Sequence, residues 1–202
     1  MVMPFLMTGG REQTLALMRS APAAVERALD AVAETLRAFA DACLDAGADG
    51  LFYAANLATR SLATAAECRR FQRPYDLRVL SAVERAPFNL LHVCGEAAHF
   101  DEFTDYPVTA FSWATVPGNP TLADGHRLTG RAVVGGFPGK PDIAAFTAEA
   151  LGARARRAIE EMDGRWILLG PDCSINPDTP EPLLHAATAA AREARPDAGS
   201  PR

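Results

Sequence analysis

The sequence predicts an α/β fold in which about six βα units lay a parallel sheet beneath helices. Such units build either a large part of a (β/α)8 barrel or a doubly wound sheet. Three observations lead there. Short apolar runs recur along the chain, and segments of helical periodicity separate them. The runs are mostly apolar on both alternating positions, as in strands buried on two faces. No Gly/Ser-rich linker interrupts the pattern, so residues 1–194 read as one domain and residues 195–202 as a disordered tail.

The expected strands are residues 2–7, 50–54, 88–94, 108–113, 132–137 and 166–170. The clearest helix lies between the first two. Val25, Leu29, Val32, Leu36, Phe39 and Cys43 are spaced by four and three in alternation, giving one apolar stripe at helical period. Pro22 suits the first turn of that helix and Gly47 its end. Cys43, on the stripe, is expected in the core. Later helices are expected over 65–83, 142–162 and 182–194, with shorter connections near 97–103 and 121–127.

Composition narrows the function. A net charge of −5 and a pI near 5.4 argue against nucleic acid as the main partner. Apolar residues at 49% and charged residues at 22% are those of a globular protein in water. No apolar run approaches the roughly 20 residues needed to span a bilayer. The N-terminal stretch MVMPFLMTGG lacks the basic region of a signal peptide. A reducing cytoplasm is therefore the expected compartment, and the four widely spaced cysteines read as free thiols or metal ligands.

Parallel α/β folds of both kinds place their chemistry at the carboxyl ends of the strands. The apolar run FNLLHVC closes there with His92 and Cys94. Residues i and i+2 of a strand share a face, so an imidazole and a thiol point the same way. A third donor stands after the last expected strand, where Cys173 lies in the polar loop GPDCSINPDTP. One nitrogen and two sulfurs make a three-ligand zinc set with an open fourth position, the arrangement of a catalytic site. Tyr53, Asn56 and Ser112 stand at or near other strand ends and are candidate pocket residues. Asp172 is a candidate to support a ligand from behind. Cys68 is expected in a helix facing the core. His99, His126 and His185 read as packing or surface residues, and Gly135-Gly136 as a strand-end turn.

The segments AGADGLFYAANLA, CRRFQRPY, LLHVCG, VTAFSWA, AVVGGF and ILLGPDCSINPDTPEPLLHA, in that order, resemble the uroporphyrinogen decarboxylase family from about residue 4 to 192. The resemblance implies a (β/α)8 TIM barrel, here incomplete, with about six βα units of its C-terminal part. It also implies one of two activities. The decarboxylases of porphyrin biosynthesis carry a histidine in a G-H-G context in the last loop, where this chain has Cys173. The zinc methyltransferases, which move a methyl group from a corrinoid to a thiol such as coenzyme M, carry H-x-C on one strand and a second cysteine in the last barrel loop. His92, Cys94 and Cys173 match those three positions. The resemblance thus implies zinc, one ion per chain, a small thiol substrate and a corrinoid held by a partner protein. A more distant relative, cobalamin-independent methionine synthase, has an additional acidic zinc ligand near the following strand, where this chain reads AFSWA with Ser112. An alternative is a truncated paralogue acting as an accessory subunit. A six-stranded part of a barrel leaves open edges, so a homo-oligomer or a complementing chain is expected.

Overall fold

The computed structural model describes residues 9–140 and 142–194. The strand expected over 2–7 and the tail 195–202 fall outside the described residues. Five strands, β1 Phe52–Ala55, β2 Leu90–Val93, β3 Ala110–Trp113, β4 Ala132–Phe137 and β5 Ile167–Pro171, form one sheet in chain order. The β1–β2 and β4–β5 pairs are parallel, as the apolar runs require. Seven α-helices accompany them among the described residues: α1 Arg11–Ser20, α2 Pro22–Asp45, α3 Ala65–Phe71, α4 Arg73–Ser81, α5 Leu122–Thr129, α6 Ala148–Glu161 and α7 Glu181–Glu193. No described helix is long and apolar enough to cross a membrane. The contacts divide the chain into two compact units, one up to Ala110 and one from Phe111 onward, a division for which the sequence offers no linker.

In the first unit, α2 starts with Pro22 in its first turn and ends at Asp45. Gly47, at φ +98°, closes it. The Gly47 N–H donates to the Leu44 carbonyl at 2.9 Å and the Ala48 N–H to that of Cys43 at 3.0 Å. These two bonds satisfy carbonyls that a helix end leaves orphaned. The buried face of α2 is Val25, Leu29, Ala33 and Ala40. It is rotated from the expected stripe: Val32, Leu36 and Cys43 are half-buried, and Phe39 is 66% exposed. The core that it helps to form joins Met18, Val25 and Leu29 to Leu57, Cys68 and Phe71.

The helix expected over 65–83 is two helices. Thr64 and Glu67 cap the first reciprocally, the Thr64 hydroxyl accepting from the Glu67 N–H and the Glu67 carboxylate from the Thr64 N–H. The break falls at Gln72, two residues before Pro74, whose ring lacks an N–H and would clash with a carbonyl one turn back. Apolar periodicity continues through the break, which is why the pattern reads as one helix.

In the second unit, the segment expected as one helix from 142 begins with a 3-10 turn, Asp142–Ala145, and α6 starts afresh behind the Thr147 cap. Phe137, Ile143, Leu151, Leu183 and Ala187 form the core here, joining β4 to α6 and α7. Gly135 and Gly136 lie inside β4 and not in a turn after it.

Each unit has one sheet face under helices and one largely open. Tyr53 pairs in register with Leu91 and Ala55 with Val93. Leu91, Val93 and Ala55 are fully buried. Phe52 pairs with Leu90 and Ala54 with His92, so these side chains share the opposite face. Phe52 is 68% exposed on it. In β5, Leu168 is likewise exposed, whereas Leu169 joins the core beside Phe137.

Candidate active site

His92 is the last but one residue of β2, on the open face, yet only 5% exposed. The Phe52 ring covers it, stacked at 5.9 Å between centroids and 22° between planes. Burial holds the imidazole below its ordinary pKa, favouring the neutral form. Cys94 follows on the same face, half-buried, with its N–H bonded to the Ala55 carbonyl at 3.1 Å. The chain must then turn sharply. Gly95 has φ +95°, and a Cβ there would stand 2.8 Å from the Thr59 Cβ. The turn is fastened by the Thr59 hydroxyl on the Glu96 carbonyl at 2.5 Å and by the His99 N–H on the Ala58 carbonyl at 2.8 Å. His99 is a packing residue, its Nε2 lying 2.8 Å from the Ala63 carbonyl. Half-buried His126 and exposed His185 bond locally, to the Arg131 carbonyl and the Glu181 carboxylate.

Tyr53 and Asn56 belong to the same unit. The Tyr53 hydroxyl donates to Asp76 of α4 at 2.7 Å, on the helix side of β1. Asn56 is half-buried just beyond β1, and its amide donates to the Ala54 carbonyl at 3.1 Å. Asp76 is a residue that sequence reasoning missed. It is 2% exposed and also accepts from the Tyr106 hydroxyl at 3.3 Å. Burial pushes its carboxyl up, against hydrogen bonds from the tyrosines that favour the charged form. In the sequence, RPYDL offers only an acidic residue in a helix's first turn, an ordinary surface feature.

The second unit carries Ser112, Asp172 and Cys173. Ser112 is buried within β3. Asp172 follows the end of β5 and is buried. Its carboxylate accepts from the Thr115 N–H at 3.2 Å and from the Thr115 hydroxyl at 3.1 and 3.2 Å. Burial raises its pKa, and the Thr115 hydrogen bonds oppose that rise. Asp172 thereby ties the segment after β3 to the Cys173 loop. A second tie comes from Gly139, where a Cβ would stand 3.0 Å from the Cys173 nitrogen. The Lys140 N–H donates to the Ser174 carbonyl at 2.9 Å. Cys173 itself is exposed, with its thiol 4.0 Å from the Ser174 hydroxyl.

The three donors are chemically those of zinc: a buried imidazole and two thiols outside any disulfide, near strand ends. His92 and Cys94 belong to one unit and Cys173 to the other. Among the described residues, no group of three or more His, Cys, Asp or Glu side chains is gathered as a metal site.

No curated protein matches this chain. Among solved structures it is similar to a methyltransferase from Methanosarcina mazei, with a TM-score of 0.78 and 24% sequence identity. The match covers 90% of this chain and 53% of that one, so the chain spans about half the length of that methyltransferase. At that identity the likeness is one of fold, and the fold is the expected α/β architecture of an incomplete (β/α)8 barrel. The profile of the uroporphyrinogen decarboxylase (URO-D) family matches residues 1–194, and the chain belongs to that family.

Proposed function

We propose that the chain is a methyltransferase-like member of the URO-D family, with His92, Cys94 and Cys173 as ligands of one zinc ion. The observation that carries this reading is the buried imidazole of His92, two residues before a thiol on the same face of a parallel strand. Bound zinc would supply a Lewis acid that holds a substrate thiol as its thiolate at neutral pH. The chain's own residues would do the rest. Phe52 covers His92 and limits water at the imidazole. Gly95 and Thr59 hold the end of β2, so Cys94 keeps its direction. Thr115 and Asp172 hold the start of the Cys173 loop. The methyl group would pass from a corrinoid carried by a partner protein to the sulfur of a small thiol, the cobalt–carbon bond breaking with its electron pair left on the corrinoid's cobalt and the thiol proton released to solvent. A homo-oligomer or a complementing chain would cover the open sheet face of either unit, exposed at Phe52 in the first and at Leu168 in the second.

The test is methyl transfer from methylcobalamin to a small thiol by the purified chain supplied with zinc. The expected result is formation of the thioether, abolished in Cys94→Ala. Turnover of a porphyrinogen by metal-free protein, with no thioether formed, would place the chain with the decarboxylases.

A further inference from the structure

A cavity of about 520 Å3 opens in the second unit, and the reading above does not use it. The segment from Thr115 to Leu122 forms one wall, and α6 forms the other with Arg154, Arg157 and Glu161. It lies on the helix side of β4, where a Cβ on Gly136 would stand 3.1 Å from that of Ala158. Arg154 and Arg157 are three residues apart, so both guanidiniums leave the same face of α6. Arg156, between them in sequence, pairs instead with Glu193 on α7 at 3.3 Å. Among the described residues, neither Arg154 nor Arg157 forms an ion pair, although Arg154 favours the charged form of the buried Asp172 through its field.

The acid in this wall, Glu161, offsets one of the two positive charges. Glu161 accepts from the Ala123 N–H, in the first turn of α5, at 3.2 Å. The other polar groups are committed too: the Thr121 hydroxyl to the Asp124 N–H, the Thr115 hydroxyl to Asp172 and the Asn119 amide to the Ala114 carbonyl. The lining therefore sets two guanidiniums against one carboxylate, with Arg154 also acting on the buried Asp172 from beyond ion-pair distance, and it keeps a surplus of positive charge. Val116, Pro117, Pro120 and Leu122 give the rest of the lining an apolar character. Guanidinium forks match the paired oxygens of phosphate and carboxylate groups. The volume is that of a small-molecule site, for which the usual range is about 300–1,000 Å3.

We propose that this cavity binds a small organic anion, its phosphate or carboxylate group held by Arg154 and Arg157 and its body set against the proline and leucine wall. Calorimetric titration of the full chain tests this with pyrophosphate, phenyl phosphate and citrate, each at constant ionic strength against chloride. Saturable binding of at least one probe is expected. The Arg154→Gln/Arg157→Gln double variant should weaken it at least about tenfold, the scale of a lost charge-assisted hydrogen bond. Arg156→Gln should retain the parent affinity. Binding of the phosphates or of citrate would identify which oxyanion is preferred. If the double variant fails to fold, the exposed Arg157→Gln alone carries the comparison. No saturable binding of any probe up to about 10 mM, a free energy near −2.7 kcal/mol, would overturn the proposal. So would equal weakening in Arg156→Gln.

Discussion

Tyr53→Phe separates a residue that shapes the fold from one that touches substrate. The substitution removes a single hydroxyl, which donates to Asp76 at 2.7 Å on the helix side of β1. Asp76 keeps the weaker bond from Tyr106 at 3.3 Å and stays buried. A hydrogen bond to a buried carboxyl contributes about 1–2 kcal/mol, and its loss leaves an acceptor partly unmet. For a domain of this size each kcal/mol moves the melting temperature by about 2–4 °C, so the drop should be roughly 2–8 °C. Thermal denaturation followed by circular dichroism reads it, and metal content should not change. Asp76→Asn adds a pH signature. Because burial raises the folded pKa of Asp76 above its unfolded value, its favourable contribution is complete below the unfolded pKa, near 4. That contribution is lost as pH rises through the folded pKa. The parent's advantage over Asp76→Asn should therefore shrink as pH rises above about 4. An unchanged melting temperature in Tyr53→Phe, together with lost metal or thiol binding, would refute the reasoning and return Tyr53 to the pocket.

Gly125→Ala should destabilise the fold, because its new Cβ would stand 2.1 Å from Cη2 of the fully buried Trp113 ring. Overpacking on that scale costs about 1–3 kcal/mol or more, exceeding the roughly 1 kcal/mol of helix propensity gained, and a lower melting temperature checks it. In metal-free protein, an aromatic disulfide reagent should modify exposed Cys173 first. Cys68 should react only on unfolding, since it is buried and its thiol is pushed up to about 11 by that burial; mass spectrometry of partly labelled protein gives the order. Light scattering over a range of concentrations should show association, driven by exposed apolar strand residues, Phe52 in the first unit and Leu168 in the second, and a monodisperse monomer at every concentration would contradict it.

What the sequence reveals depends on how local the cause is. AVVGGF reads as a strand over 132–137, and β4 occupies those residues, because a basic residue and Pro138 bound the run. The ends of α2 are legible in Pro22 and Gly47, since one residue's backbone preference decides each. The buried face of α2 is not, because its partners choose Ala33 and Ala40 over the larger Phe39. The break at Gln72 was available in Pro74 but masked by apolar spacing that continues across it. The shared face of His92 and Cys94 follows from the two-residue period alone. That Tyr53 lies on the opposite face needs the register with Leu91, 38 residues further on, and the Thr115–Asp172 tie spans 57 residues. No spacing rule reaches so far. Arg154 and Arg157 read as ordinary surface charge on a helix until the wall opposite them is known.

The central claim is a zinc ion on His92, Cys94 and Cys173, and metal analysis of the purified chain tests it most directly. The account predicts about one zinc per chain by the three-ligand set. Most of it should be lost in Cys94→Ala and in Cys173→Ala, and it should be retained in Cys43→Ala, whose thiol is half-buried on α2. A parent protein that takes up no zinc, or equal loss in all three variants, would contradict it.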